Sequence, residues 1–277
     1  MAPTPRNILQ HAVFLVGPTS VGKSDLALSL GQKYDGEIVC ADALQLYRAL
    51  PVLSAQPTDR ERALVPHHLF GSVPCSEEMD AARFARLARQ AITDVVARGK
   101  VPIVAGGSGL YLQALIAGLP QLPAIDSALR ERVRGMTLDE MVARLGELDP
   151  ASLPVIDLRN PRRVARRLEL SLQTGQPASG LLAEQPVPAG LRGVVLTRDR
   201  DELNARIATA VAARLAGGGI EEVRAARELA GRTARQILGW REIIALLEDK
   251  IDRATCAELV TIATRQYAKR QLTWFRA

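Results

Sequence analysis

Residues 13–30 read VFLVGPTSVGKSDLALSL, and Gly17–Ser24 within them matches G-x-x-x-x-G-K-[ST] at every fixed position. AVFLV (12–16) has the length and apolarity of a buried strand, and a helical pattern opens at Lys23, so the loop joins a strand to a helix N-terminus. The glycines let backbone N–H groups turn toward an anion. The helix end adds a partial positive charge, Lys23 adds a full one, and the Ser24 hydroxyl suits a Mg²⁺ ion. Gly17, Pro18, Thr19, Ser20, Val21, Gly22, Lys23 and Ser24 are therefore the expected contacts of a diphosphate or nucleotide. The motif identifies a polyphosphate ligand and leaves the reaction open.

Working outward, EIVCAD (37–42) and VPIVAGG (101–107) are further strand-length apolar runs, and HHLFGSV (67–73) is a shorter one. Between them, residues 78–98 carry Phe84, Leu87, Ala88, Ala91, Ile92 and Val95 at helical spacing. Such alternation implies a parallel sheet with helices on both faces. After Pro120, residues 126–148 and 161–174 read as helices, 175–190 as a loop and 194–199 as a late strand. Residues 200–217, 219–230, 234–248 and 253–274 read as more helices, with Gly217–Gly219 a flexible break. The expected class is α/β: a P-loop NTPase-like parallel sheet core (1–121 and 159–277) with a small helical insertion domain (122–158).

Composition narrows the classes. The chain has 277 residues, 47% of them apolar, which suffices for a sizeable core. No stretch approaches the 18 or so uninterrupted apolar residues of a membrane-spanning helix. MAPTPRNILQ (1–10) lacks an apolar run with a small-residue cleavage site, so no signal peptide is expected. Cys40, Cys75 and Cys256 are far apart with no C-x-x-C, which points to reduced cytosolic thiols rather than disulfides or a zinc site. The net charge is +6, and 31 of the 36 basic residues are Arg. Arg favours bidentate phosphate contacts, although GC-rich coding also enriches Arg and Ala.

Asp42 ends the second strand, and in an α/β sheet the carboxyl ends of the strands line the ligand crevice. It is a candidate Mg²⁺ ligand, proton acceptor or helix N-cap, with Gln45 three residues on completing a possible capping box. Gly106-Gly107-Ser108 makes a second small-residue turn at the end of the third strand. In NPRRVARRLELSLQTG (160–175), Val164, Leu168 and Leu172 form an apolar stripe beside Arg162, Arg163, Arg166 and Arg167, four cations that repel one another without an anion. TRQYAKRQLTWFRA (264–277) mixes basic and aromatic residues, the aromatics expected in the core. His67 and His68 cannot both point at one metal from a strand and are expected to be structural.

No D-x-x-G and no NKxD or TKxD is present, which disfavours a GTPase switch. A P-loop small-molecule or nucleotide kinase and a transferase using a diphosphate ester remain. GPTSVGKS, ADALQLYR, PHHLF, GKVPIVAGGSGLYL, RRVARRLE, NARI, LGWRE and TRQYAKRQLTWFR, in that order across nearly the whole chain, resemble the tRNA dimethylallyltransferase (tRNA isopentenyltransferase) family.

The resemblance implies transfer of a dimethylallyl group from dimethylallyl diphosphate to the exocyclic amine of an adenosine. That adenosine lies immediately 3′ of the anticodon, in tRNAs reading codons that start with U, and pyrophosphate leaves. It implies Asp42 as general base, with Lys23, Arg206 and Mg²⁺ stabilising the leaving group. It also implies tRNA contacts from Asp42, Ala43, Leu44, Gln45, Ser108, Arg130, Arg162, Arg163 and Arg166, with the insertion closing over the anticodon stem-loop. A cytoplasmic monomer without a membrane partner is expected. The chain departs from the family pattern with Ala43 for Ser, SAQP (54–57) for TAKP, Ser108 for Thr and Asn160 for Asp. A second Arg, expected four residues after Arg206, is Ala210 here.

Overall fold

The computed structural model describes residues 8–120, 122–182 and 186–276. The reading of residues 1–7, positions 121 and 277, and the part of the 175–190 loop at 183–185 lie outside the described residues. The chain forms two compact units, one running to Gly118 and resuming at Val187, the other spanning Leu119–Pro186.

The first unit begins with strand β1 (Val13–Val16), helix α1 (Lys23–Lys33), β2 (Gly36–Cys40), α2 (Asp59–Leu64), β3 (His67–His68), α3 (Ala81–Ala97), β4 (Val101–Gly106) and α4 (Gly109–Ile116). The sheet is parallel, in the order β3-β2-β4-β1-β5, where β5 is Arg192–Val195. Successive side chains of a strand point to opposite faces. Leu15, Ile38 and Ile103 accordingly join Ala27 of α1 in one core cluster, whereas Phe14, Val39 and Val104 join Phe84, Ala88 and Ile92 of α3 in another. The stacked rings of Phe84 and Tyr111, 4.8 Å apart, tie α3 to α4.

The second unit packs α5 (Ser127–Arg134), α6 (Leu138–Leu148), α7 (Pro161–Thr174) and the short α8 (Ala178–Leu181) around Leu129, Val133, Leu145, Val164 and Leu168. Two expectations are corrected here. The single helix over 126–148 is two helices, because Thr137 and Glu140 form a capping box that starts α6 afresh after Gly135. The unit is also wider than 122–158, because the Val164 and Leu168 stripe of α7 packs with α5 and α6 and so belongs to the insertion. Asn160 caps α7 by accepting from Arg162 N (3.2 Å) and Arg163 N (3.3 Å), and Pro161 suits its first turn. Asp149 is fully buried, held by both hydroxyls of Ser152 and Ser179, with Arg167 donating to Ser152 Oγ at 2.7 Å.

The chain then completes the first unit with β5, α9 (Arg200–Arg214), α10 (Ile220–Ala226), α11 (Trp240–Leu247) and α12 (Arg253–Arg276). The expected strand over 194–199 starts two residues earlier and ends at Val195. Gly218, at φ 113°, sits in the bend between α9 and α10 where the break was expected. Among the described residues no helix is long and apolar enough to cross a membrane.

Candidate active site

The carboxyl ends of β1, β4 and β2 are neighbours, and each delivers one part of the site. The loop after β1 needs Gly17 at φ 148°, where any Cβ would meet Leu196 O at 2.5 Å. Lys23 opens α1, and its Nζ donates back to the carbonyls of Gly17 (2.9 Å) and Pro18 (2.7 Å). Its ammonium is enclosed. Burial lowers its pKa to about 8, with the charge of Asp42 acting in the opposite direction. Ser20 adopts φ 62°, and its buried Oγ has no hydrogen-bond partner among the described residues. A left-handed backbone beside a buried, unpartnered hydroxyl fits a loop shaped to hold an anion's oxygens.

Asp42 follows β2. Its Oδ1 accepts from Leu44 N at 3.0 Å, so it caps the 3₁₀ turn Ala43–Gln45, and it also lines the cavity facing Lys23. The cap and the ligand-facing positions are thus the same residue. No capping box forms with Gln45, whose side chain instead donates to Ser54 O (3.1 Å) and Ala55 O (2.5 Å). From the turn after β4, Ser108 Oγ accepts from Ala43 N at 2.8 Å and donates to Asp42 Oδ1 at 3.4 Å. Gly106 is required at this crossing, since a Cβ there would lie 2.1 Å from Ala41 O.

These parts border one cavity of about 610 Å³, whose wall includes Thr19, Ser20, Lys23, Ser24, Asp42, Gln45, Arg206, Ala210, Arg214 and Tyr267. The expected trio Lys23, Asp42 and Arg206 therefore meets there. Arg206 Nε also donates to Ser20 O at 3.0 Å, bracing the loop from α9. Arg198 does the same at Val21 O, 3.0 Å away, while ion-paired to Glu202. Ala43 contributes its backbone N–H to Ser108, and Leu44 lines the cavity.

Four participants were not anticipated. Gln271 of α12 is buried, accepts from Thr19 N at 2.8 Å and donates to Gly107 O at 2.9 Å, so one amide fastens the phosphate loop to the glycine turn. Tyr267, one turn earlier, places its hydroxyl 3.5 Å from Ser108 Oγ, and burial pushes its pKa up. It lines the cavity, whereas Trp274 is partly exposed, with its ring against Gly109, so the expectation of core aromatics fails at both. Glu222 accepts from Val52 N and Leu53 N, both at 2.8 Å, and sets the cavity wall at 53–55. Arg214 enters the same cavity from α9. Of the four, only Gln271 and Tyr267 lie in a segment with a legible motif, TRQYAKRQLTWFR (264–276).

Arg130, Arg162, Arg163 and Arg166 belong to the second unit. Arg130 stands 3.9 Å from Glu169, and Arg162, Arg163 and Arg166 make no ion pair with a described residue. His67 Nδ1 lies 2.7 Å from Val65 O and His68 Nε2 2.5 Å from Glu37 Oε2, structural placements both. Among the described residues no cluster of three His, Cys, Asp or Glu side chains suits a metal. Oxygen donors at Ser24, Asp25 and Asp42 do line the cavity, and a hard cation that keeps waters and phosphate oxygens fits that set.

The model of the IPP transferase family matches residues 45–277. The tRNA dimethylallyltransferase of Akkermansia muciniphila is 39% identical over 264 residues, covering 95% of this chain and 90% of that protein. The one from Anaeromyxobacter dehalogenans is 42% identical over 274 residues, covering 95% and 91%. The full-length tRNA isopentenylpyrophosphate transferase of Bacillus halodurans superposes with a TM-score of 0.67 at 30% identity, covering 96% of this chain and 86% of that one. A eukaryotic dimethylallyltransferase captured acting on tRNA gives 0.80 at 29% identity, covering 95% and 69%. With a phosphate loop, an acid and cations around one cavity, and likeness of this extent in sequence and fold, the chain belongs to the family of tRNA dimethylallyltransferases, the IPP transferases.

Proposed function

We propose that this chain transfers the dimethylallyl group of dimethylallyl diphosphate to the exocyclic amine of the adenosine 3′-adjacent to the anticodon, in tRNAs reading codons that start with U. The observation that carries the proposal is the convergence of Lys23, Asp42 and Arg206 on one cavity beside a complete phosphate loop. In the reaction the bond from the allylic carbon to the diphosphate oxygen breaks, and its electron pair leaves with pyrophosphate. The adenine nitrogen forms the new bond to carbon and loses a proton to Asp42. Lys23, Arg206 and the loop N–H groups face the charge that grows on the leaving oxygens. Ser24 and the diphosphate would hold Mg²⁺, which when bound neutralises part of that charge. The adenine must leave its stack to reach such a cavity.

Ser108 braces Asp42 and the Ala43 turn, so the proton acceptor is held by both neighbouring strands. Arg162, Arg163 and Arg166, without an ion pair among the described residues, supply backbone phosphate contacts to the tRNA, and Arg130 joins them by exchanging Glu169 for phosphate. Incubation with labelled dimethylallyl diphosphate and tRNA tests the reading. Label in the tRNA and release of pyrophosphate are expected. Passage of a labelled γ-phosphate to an acceptor, with no prenyl label in tRNA, would replace the reading with a kinase.

A further inference from the structure

Helix α9 carries Arg206, Ala210 and Arg214 at intervals of four, so the three share one face, and all three line the cavity. Arg214 is half-buried, yet its guanidinium makes no ion pair and no hydrogen bond with any described residue. Partly desolvated cations are ordinarily paired, and an unpaired one beside a cavity calls for an anion within it. Burial works against its charge, and the Asp42 carboxylate is the protein group that favours it. Asp42 is itself engaged with Leu44 N and Ser108 Oγ.

Geometry says which part of the cavity Arg214 serves. Side chains on a helix lean toward its N-terminus and cover the turn before them. The stem of Arg214 therefore leans over position 210, where Ala210 presents only a methyl group. A longer side chain at 210 would occupy that space. Thr209 and Ala213 complete a small-residue wall around it.

We propose that Arg214 is the second guanidinium of the diphosphate site, reaching back one turn over Ala210 to grip the substrate's diphosphate alongside Lys23 and Arg206. The assignment rests on the prenyl-transfer reading for its substrate, and the anion chemistry can be tested apart from it.

The test uses inorganic pyrophosphate with Mg²⁺ as probe, titrated calorimetrically into the wild-type chain, Arg214→Met, and the double variant Ala210→Arg with Arg214→Met. Arg214→Met should weaken pyrophosphate about 10- to 100-fold, the range for loss of charged hydrogen bonds. Its thermal midpoint should stay or rise, because an unpaired cation is removed. Its tRNA affinity should not change, and the double variant should recover most of the pyrophosphate affinity. Unchanged pyrophosphate affinity in Arg214→Met would overturn the proposal. So would a loss that tracks a lowered midpoint, which marks a structural role, or a parallel loss of tRNA affinity, which marks a tRNA contact. If the wild-type chain transfers no dimethylallyl group while Arg214→Met still loses pyrophosphate, the assignment of Arg214 stands and the prenyl substrate falls.

Discussion

Lys23 offers a test in which stability and function move in opposite directions. Its enclosed ammonium has a pKa lowered to about 8, against 10.5 for an exposed lysine. At 1.36 kcal/mol per unit, keeping it charged in the fold costs about 3 kcal/mol. The sign follows from proton counting. Below pH 8 folded and unfolded chains both hold the proton, and the full cost is present. Between about pH 8 and 10.5 the unfolded chain holds more protons, so stability rises with pH and the cost disappears by the upper end. Lys23→Met removes the group. The variant should be the more stable form near pH 7.5, offset by whatever the carbonyls of Gly17 and Pro18 lose with their donor. By pH 10.5 its advantage should shrink by about 3 kcal/mol. Urea denaturation of both proteins at half-unit pH steps measures that narrowing, and every other titrating group cancels in the difference. At pH 7.5 the variant should also fail to retain pyrophosphate while binding tRNA as before. Stability curves that run parallel across this pH range would refute the enclosed, charge-disfavouring site on which the argument depends.

Other outcomes follow from the same geometry. Asp42→Asn preserves the cap on Leu44 N, so single-turnover transfer with bound tRNA should fall about 10²–10⁴-fold while both substrates still bind. A near wild-type rate would remove the general-base role. Arg163→Ala and Arg166→Ala should raise the tRNA dissociation constant and lower the slope of its salt dependence by up to about one unit for each lost phosphate contact, read from binding at several salt concentrations. Gln271→Leu keeps the volume but releases the phosphate loop. It should cost about 1–3 kcal/mol in denaturation and weaken pyrophosphate, whereas stability loss alone would confine Gln271 to packing.

What the chain discloses on reading depends on the range of the interaction. The phosphate loop, Asp42 and the glycine turn are short backbone devices at strand ends, and their residue types follow from local geometry, so they are readable. The restart at Thr137 is legible too, since T-x-x-E is a local capping signal. The apolar stripe of α7 could be seen, but not what it would pack against, and the domain boundary depends on that partner. Glu222 and Arg214 carry no local pattern. Glu222 acts on backbone about 170 residues away, and Arg214 matters through the cavity it enters. The motif holding Gln271 is conspicuous, yet its neighbours are basic and aromatic, and no local pattern marks one neutral amide among them.

The Gln271 bond to Thr19 spans 252 positions of the chain, which gives it a meaning during synthesis on the ribosome. The fastener leaves the ribosome 252 residues after the phosphate loop. At ordinary translation speeds the delay is on the order of 10 to 50 s. Throughout that interval the nascent chain holds the glycine-rich segment without the amide that ties it to the neighbouring turn. The anion pocket therefore takes its final form only after those 252 residues have emerged, and a product terminated before Gln271 lacks the clasp that shapes the loop.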